Sequence, residues 1–259
     1  MFVAQILGAV ERLAPAALAE EWDNVGLVVG RHNQPVRRVL VALELRDEVL
    51  GEAREFGCDT ILTHHPAIFP ALSSVTDAPA SELVLEAAES RIAVIAAHTN
   101  LDAARGGLND VMAEILGMTR PAPLRPSASH PSCGLGRIGR VGATTLGGLV
   151  ERVTSGFDGA PVSYAGDPWT TVERVACCTG SGGSLIADAR AAGADAYVTS
   201  DLKYHDADRA EGLPLVTLPH ARAERIALRR WTRVLERALA PERVEVRFAE
   251  TDTDPWQIA

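Results

Sequence analysis

The segment Asp59-Thr60-Ile61-Leu62-Thr63-His64-His65-Pro66 joins a short strand pattern to two adjacent histidines. The apolar and β-branched run before the histidines favours a buried β-strand. Pro66 cannot donate to a strand ladder and restricts the residue before it, so we expect the strand to end there. Successive side chains of a regular strand point to opposite faces, so His64 and His65 can share one site only where strand geometry has ended.

Helical and strand patterns alternate on both sides of this segment. We predict helices at 47–56, near 80–90, and at 107–116, 145–155, 184–192 and 220–239. We predict strands at 38–44, 59–63, 92–97, 173–178, 195–199, 213–218 and near 243–248. This alternation is typical of an α/β protein whose parallel strands are joined by crossover helices.

Two lobes are indicated by a change of composition in the middle of the chain. Residues 119–143 are rich in Pro, Ser and Gly, so we predict a boundary between an N-terminal lobe, 1–125, and a C-terminal lobe, 126–259. The sequence Ile-Leu-Thr-His-His at 61–65 loosely echoes Tyr-Val-Thr-Ser-Asp at 197–201. The echo suggests two related α/β lobes with parallel or mixed sheets, although chance similarity is an alternative.

Composition limits the class of protein. The chain has 259 residues, of which 47% are hydrophobic, enough for the core of one large or two modest domains. Its net charge of −9 argues against a dedicated nucleic-acid surface, which would need clustered Lys and Arg. Five arginines lie on or beside one predicted helix, and we interpret them as a solvated helix face. They are Arg222, Arg225, Arg229, Arg230 and Arg233.

The N-terminal region has the pattern of an amphipathic helix rather than of a targeting or membrane segment. Ile6, Leu7, Val10 and Leu13 fit one helix face, and Glu11 and Arg12 interrupt the apolar run. Because no apolar run approaches the ~20 residues of a membrane helix, we expect a cytoplasmic protein without membrane contact. The cysteines form no C-x-x-C pair, so we assign no metal or disulfide role to Cys58, Cys133, Cys177 or Cys178.

Potential metal ligands follow three predicted strands, where functional groups of α/β sheets gather. They are His64 with His65, His98 with Asp102, and His220 with Glu224. His220 and Glu224 are four residues apart at the start of a predicted helix, so their side chains share one helix face. Four imidazoles and two carboxylates exceed the needs of one ion, which predicts a dinuclear site and hydrolytic chemistry.

Each of these groups also has a simpler explanation. The histidine pair could belong to a capped turn, Asp102 could cap a helix, and His220 with Glu224 could be an ordinary helix pair. Their joint position at strand ends makes a metal site the better interpretation. Asp102 or Glu224 could bridge two ions, and mixed nitrogen and oxygen ligation suits zinc, manganese or iron.

A glycine-rich segment lies between a predicted strand and a predicted helix. Its sequence is Gly180-Ser181-Gly182-Gly183-Ser184, and its backbone N–H groups could cradle a phosphate. The segment lacks the Gly-Lys-Ser/Thr ending of a P-loop. We therefore favour a tight structural turn.

Taken together, these motifs resemble the NGG-interacting-factor-three-like family, whose members are commonly called GTP cyclohydrolase type 2 homologues. The matching segments occur in the family's order over nearly the whole chain. They are Glu21-Trp22-Asp23-Asn24-Val25-Gly26-Leu27, Thr63-His64-His65-Pro66-Ala67-Ile68-Phe69, His98-Thr99-Asn100-Leu101-Asp102, Gly106-Gly107-Leu108-Asn109-Asp110, Gly136-Arg137-Ile138-Gly139, Asp201-Leu202-Lys203-Tyr204-His205 and His220-Ala221-Arg222-Ala223-Glu224.

The resemblance implies a dinuclear site that lies between the lobes and binds two divalent metal ions. Its ligands would be His64, His65, Asp102, His220 and Glu224, the last two contributed by the C-terminal lobe. It also implies a toroidal homohexamer, a trimer of dimers, with the sites facing an inner cavity. Some members carry an extra domain between the halves, and this chain resembles the short form without it.

The activity that the resemblance implies is hydrolytic opening of the guanine ring of GTP at C8 with loss of formate. We assign candidate proton-transfer or ligand-orienting roles to His98, Asp201 and His205, and candidate phosphate contacts to Lys203 and Arg137. Two alternatives stay open. One is a metal-dependent hydrolase that acts on a phosphoester, and the other is a non-enzymatic metal-binding adaptor or metal-handling protein.

Three departures from the family pattern are visible. Glu44-Leu45-Arg46 stands where the family usually has an Asp-x-Thr-like run, Pro219 replaces a usual Gly before the ligand histidine, and Ser200 replaces a Gly before Asp201. None removes a proposed ligand. The change at Pro219 could tilt His220, and the change at Glu44 puts the role of that strand end in question.

Overall fold

Two β-sheets organise the chain in the computed structural model, which describes residues 1–257. The helices are α1 (Val3–Leu13), α2 (Asp47–Glu55), α3 (Glu82–Glu89), α4 (Thr99–Ala103), α5 (Leu108–Ile115), α6 (Leu146–Gly156), α7 (Ile186–Ala191), α8 (Tyr204–Arg209) and α9 (His220–Leu239). The strands are β1 (Gly26–Val29), β2 (Arg38–Ala42), β3 (Thr60–Thr63), β4 (Ala93–Ala96), β5 (Thr119–Pro126), β6 (Gly134–Thr145), β7 (Ser163–Ala165), β8 (Thr171–Ser181), β9 (Ala196–Ser200), β10 (Leu215–Thr217) and β11 (Glu245–Phe248). Both sheets are mixed, so the predicted α/β class is confirmed.

The chain divides into two compact units. Unit 1 comprises residues 1–101 and 228–255, and unit 2 comprises residues 102–227 with the short segment that begins at Trp256. Unit 1 contains the five-stranded sheet, with strand order β1-β4-β3-β2-β11. Unit 2 contains the six-stranded sheet, with strand order β5-β6-β8-β9-β10-β7.

Strand β3 lies at the centre of the sheet of unit 1. It pairs in parallel with β2 and β4, so that Leu62 stands between Val41 and Ile95, and all four of its residues are buried. Apolar residues of α2 and α3, among them Leu50 and Ala87, pack with this sheet. Because parallel strands end at one edge of a sheet, the residues that follow β2, β3 and β4 are brought together there.

In unit 2, the parallel strands β8, β9 and β10 likewise end at one edge of their sheet. Their pairing aligns Ala176 with Tyr197 and Leu215 with Tyr197, at the buried centre of the sheet. Helices α5 and α6 contribute Met112, Leu149 and Val153 to the core of this unit. The residues after these three strands therefore meet at one edge of the second sheet.

The observed units differ from the predicted lobes, 1–125 and 126–259. The Pro- and Gly-rich region 119–143 is not a boundary, because β5 and β6 form an antiparallel pair inside the sheet of unit 2. Proline is tolerated in β5 because this strand lies at the sheet edge and is mostly exposed. At the other end of the chain, β11 pairs with β2 and so belongs to unit 1.

Several smaller expectations can also be compared with the structure. Ile6 and Val10 of α1 are buried, as the amphipathic pattern predicts. On α9, Arg229, Arg230 and Arg233 are exposed, but Arg225 is buried and so does not belong to a solvated face.

The cysteine thiols are free, and three of the four are buried. Burial raises the pKa of Cys177 to about 12, so this thiol stays neutral within the core. Within residues 1–257, no helix combines the length and apolar character that a bilayer crossing requires.

Candidate metal centre

Three imidazoles of unit 1 lie together at the ends of β3 and β4. The ring centroid of His64 is 5.3 Å from that of His65 and 5.1 Å from that of His98, and the last two are 5.6 Å apart. One nitrogen from each ring lies within 4.8 Å of the others. Clustered imidazoles are typical of sites for zinc and other transition metals.

The backbone explains how His64 and His65 reach the same cluster. The N–H of His64 donates to the carbonyl of Ala42 at 3.1 Å, and the N–H of His65 donates to that of Leu43 at 2.8 Å. In a regular ladder, consecutive N–H groups point to opposite sides, so two consecutive bonds to one neighbour show that the chain has left strand geometry. The sequence analysis expects His64 and His65 to share a site only where strand geometry has ended, and it ends here.

A buried hydrogen bond fixes the tautomer of His64. Its Nδ1 lies 2.9 Å from the carbonyl oxygen of Ala97, and the side chain is fully buried. A carbonyl oxygen only accepts, so Nδ1 carries the proton and, in the neutral ring, the lone pair is on Nε2. This is the arrangement that orients a histidine as a metal ligand through Nε2.

Asp23 holds His98 in an equivalent way. Its Oδ1 lies 2.9 Å from Nδ1 of His98, while Oδ2 accepts from the backbone N–H of Thr99 at 3.0 Å and from the Thr99 hydroxyl. Burial by itself would raise the pKa of Asp23, but the hydrogen bonds from His98 and Thr99 outweigh it and lower the pKa to about 2. Asp23 is therefore a charged, fully enclosed anchor for the start of α4.

We expect Asp23→Asn to destabilise the metal-free protein by roughly 2 kcal/mol at neutral pH. The folded-state pKa of Asp23 is depressed, so its contribution is present above its unfolded value of 3.8 and is lost as the pH falls towards about 2. Denaturant unfolding of both proteins at several pH values, with a chelator present, measures the difference. A destabilisation of equal size at pH 7 and pH 2 would contradict this origin.

Glu44 places a carboxylate beside His65. Its Oε2 lies 4.0 Å from Nδ1 of His65 and 3.2 Å from the guanidinium of Arg46. Burial would raise the pKa of Glu44, but His65 and Arg46 together lower it. Glu44 therefore keeps a carboxylate next to a candidate ligand, at the strand end where the family usually has an aspartate.

In unit 2, His220 and Glu224 occupy the first turn of α9. Nε2 of His220 lies 2.9 Å from Oε2 of Glu224, and Nδ1 lies 2.5 Å from Oδ2 of Asp201, which follows β9. Burial would lower the pKa of His220, but the carboxylates of Glu224 and Asp201 raise it to about 9. The pair lies on one helix face, as the spacing predicts. Asp201 contacts the imidazole, and its role in orienting a ligand stays a prediction.

Asp102 is oriented by polar partners within unit 2. The hydroxyl of Thr179 donates to Oδ1 of Asp102 at 3.2 Å, and the side-chain amide of Asn109 donates to the Asp102 carbonyl at 3.0 Å. Asn109 is fully buried, and its Oδ1 accepts from the N–H of Thr179 at 2.9 Å. The end of β8 and the start of α5 therefore fix this carboxylate together.

The glycine-rich segment at the end of β8 is explained by close packing. At Gly180, an added Cβ would lie 2.2 Å from Oε1 of Glu224, and at Gly182 it would lie 2.1 Å from the Thr199 hydroxyl. The hydroxyl of Tyr197 also donates to the Gly182 carbonyl at 2.8 Å. These contacts favour the structural turn over the phosphate cradle.

Arg137 has a structural environment instead of the predicted phosphate contact. It is fully buried, and its guanidinium contacts both carboxylate oxygens of Asp110, with the Nε to Oδ1 distance being 2.5 Å. The remaining N–H groups donate to the carbonyls of Gly134, Gly136 and Ala104 at 2.8–2.9 Å. All five donors are thereby used.

The other two candidates are on or beside the short helix α8 and face solvent. His205 is 78% exposed, and its Nδ1 lies 3.8 Å from Asp208. Lys203 is exposed and precedes α8, where its backbone N–H donates to Asp206 at 2.7 Å. Neither contact joins these residues to His220 or Asp201, so their proposed roles stay predictions.

Several residues that shape the site were assigned no role from the sequence. They are Asp23, Glu44, Thr99, Asn109 and Thr179. The Glu-Trp-Asp-Asn run containing Asp23 was visible as a motif, and a buried acid between aromatic and polar residues could have suggested an anchor. The partners of Thr179 are distant in sequence, so no local signal identifies them.

Comparison with known proteins identifies the family. The family model Duf34/NIF3 (NGG1p interacting factor 3) matches residues 1–255, so the chain belongs to the Duf34/NIF3 family. The resemblance inferred from the motifs is thereby confirmed.

Individual relatives agree. The chain is 33% identical to a "GTP cyclohydrolase 1 type 2 homolog" of Clostridium perfringens over 85% of each chain. It is 34% identical to a Streptomyces coelicolor protein of the same name, over 98% of this chain and 93% of the relative. The crystal structure of a Staphylococcus aureus hypothetical protein superposes with a TM-score of 0.93 at 27% identity, covering 100% of this chain and 99% of the other.

Proposed function

We propose that this protein binds two divalent metal ions and uses them for hydrolysis. The ligands would be His64, His65, Asp102, His220 and Glu224, brought together as one dinuclear centre. The observation that carries the proposal is the imidazole cluster of unit 1, where one nitrogen from each of three rings lies within 4.8 Å of the others and Nδ1 of His64 donates to the carbonyl of Ala97. A set of imidazoles and carboxylates fits zinc, manganese or iron.

The residues around the proposed ligands have defined tasks. When bound, a pair of such ions lowers the pKa of a water molecule and stabilises negative charge on the substrate. Asp201 holds Nδ1 of His220 and so directs Nε2 toward the face shared with Glu224. His98, fixed through Nδ1 by Asp23, presents its other nitrogen for holding or moving a proton.

GTP is the substrate we propose to test first. The relatives from Clostridium perfringens and Streptomyces coelicolor are named as GTP cyclohydrolase homologues, which supports this choice. The proposed reaction is hydrolytic opening of the guanine ring at C8 with release of formate. Hydrolysis of a phosphoester and metal handling without catalysis are the competing outcomes.

Metal content decides the first part of the proposal. Protein purified without added metal is expected to contain close to two divalent ions per chain, measured by inductively coupled plasma mass spectrometry. We expect His64→Ala to lose most of this metal, because it removes an oriented ligand. His130→Ala is the matched control, since His130 is exposed and its side chain bonds to neighbouring Ser129, outside the imidazole cluster.

Formate release from GTP, before and after chelation, decides the second part. Chelator-sensitive release by the native chain and its loss in His64→Ala would support the cyclohydrolase reaction. Two ions without formate release would leave the metal site and redirect the search to phosphoesters or metal handling. A chain that takes up no zinc, manganese or iron would contradict the proposal as a whole.

The assembly is a separate proposal. By resemblance to its family, we propose that the chain forms a homohexamer of toroidal shape. Size-exclusion chromatography with light scattering gives the mass in solution, and a monomer at micromolar concentration would exclude it. The cytoplasmic location likewise stays a prediction.

A further inference from the structure

Two exposed aromatic side chains adjoin the imidazole cluster of unit 1. Trp22 is 56% exposed and Phe69 is 58% exposed, and their ring centroids are 5.7 Å apart with the planes inclined by 59°. The indole of Trp22 also meets the imidazole of His98 edge-on, with centroids 6.0 Å apart. The two large rings therefore form an open corner beside His98.

Hydrogen bonds of the neighbouring residues order the backbone beside both rings. Asp23, next to Trp22, is tied to His98 and Thr99, and Asn24 donates from its side-chain amide to the carbonyl of Ile68 at 2.9 Å. Ile68 directly precedes Phe69, so this bond joins the two backbone segments that carry the aromatics. A ring on an ordered backbone loses less conformational entropy when a ligand stacks on it than a ring on a mobile one.

The surroundings of Phe69 offer space and polar groups. A cavity of about 370 Å3 is lined by Phe69, Pro70 and Leu72 together with Ser73, Ser74 and Ser81. Apolar walls with a few hydroxyl groups, in a cavity of this size, are typical of a small-molecule site. Aromatic faces bind planar heterocycles by stacking, whatever the base.

We propose that Trp22 and Phe69 form a stacking site for the heterocyclic base of a nucleotide. This inference rests on the proposed function, since it supplies the base-binding part of the site whose ligands include His64 and His65. The contact between Trp22 and His98 gives the continuity between the two parts. A planar base on this corner stands beside the imidazole that holds or moves a proton.

Calorimetric titration of the full-length protein tests the stacking site. The probes are GTP, guanosine, and inorganic tripolyphosphate, which lacks a base. We expect Trp22→Ala and Phe69→Ala each to weaken binding of GTP and guanosine by about 5- to 100-fold. Tripolyphosphate binding should not change, because it makes no ring contact.

Three controls separate stacking from folding and from metal loss. Trp22→Phe keeps an aromatic face and should retain most of the affinity, whereas a packing defect would persist in it. Trp169→Ala removes a tryptophan of unit 2 that is 80% exposed, and it should bind all three probes as the native chain does. Metal content and thermal unfolding should be unchanged in each variant.

Several results would overturn the stacking site. They are unaltered guanosine affinity in Trp22→Ala, absence of base binding by the native chain, or variants that change only the oligomeric state. The last would show that the aromatic corner is a contact between copies of this chain. Because base binding is measured without turnover, failure here is distinct from failure of metal binding or of formate release.

Discussion

Arg137→Met is expected to lower the free energy of unfolding by about 3–5 kcal/mol. The substitution leaves the carboxylate of Asp110 without its bidentate partner and three backbone carbonyls without their donor. Carbonyls that lose their donor around the fully buried Arg137 side chain bear the cost of desolvation, and Asp110, whose side chain is 24% exposed and still accepts from the N–H of Gly106, adds a smaller part. Chemical denaturation followed by circular dichroism measures the change, with the thermal midpoint as a second readout.

Arg140→Met is the matched control for this prediction. Arg140 lies on the same strand, β6, and also forms an ion pair, with Glu173 at 2.7 Å, but its side chain is 72% exposed. Exposed ion pairs contribute about 0–1 kcal/mol, so we expect little change. Equal destabilisation by the two substitutions would contradict the structural role of Arg137. If Arg137→Met were as stable as the native chain but no longer bound nucleotide, the result would favour the phosphate contact predicted for Arg137 from the sequence.

Gly180→Ala should have the second large effect, on both metal binding and stability. The new methyl group would lie 2.2 Å from Oε1 of Glu224 and 3.4 Å from Nε2 of His220, so the carboxylate has to move. The left-handed backbone, with φ of +63°, adds strain for any residue with a Cβ. We expect at least about a tenfold loss of metal affinity and a loss of stability of about 1–3 kcal/mol.

Gly193→Ala is the control that separates the effect of backbone strain from the effect of the contact with Glu224. Gly193 has a similar φ of +70°, but a Cβ there meets no described atom within 4 Å. This control should therefore cost only the backbone strain, about 1 kcal/mol, and keep native metal content. Metal affinity from competition with a chromophoric chelator is the deciding measurement. If Gly180→Ala bound metal as tightly as Gly193→Ala, Glu224 would not be a ligand of the centre.

The fold was predictable where local pattern and final environment agree. Thr60–Thr63 and His220–Leu239 coincide closely with their predicted elements, because a continuous apolar run and a 3.6-residue period are local signals. Strands β5 and β6 were missed because Pro and Gly predict a linker, while the tolerance of an edge strand for proline depends on which strand neighbours it. The assignment of β11 to unit 1 likewise depends on a pairing across the whole chain.

The candidate site was likewise predictable from the sequence only in part. Histidines after strands could be predicted to cluster, and His64, His65 and His98 do so. The contact between His220 and Asp201 also follows from neighbouring parallel strands. Burial of a long charged side chain has no local signal, so Arg137 was assigned to a phosphate. The joining of all five proposed ligands in one dinuclear centre stays a prediction.

The pairing of β11 with β2 has a consequence for biosynthesis. Most of unit 1 leaves the ribosome early, but the strand that covers β2 is translated only after the body of unit 2, residues 102–227. Until then, β2 presents an open edge whose core residues, Val39, Leu40 and Val41, are fully buried in the finished protein. Open edges of this kind pair with other chains. The nascent polypeptide is therefore vulnerable to aggregation until β11 has emerged, and chaperone binding at β2 would protect it during that interval.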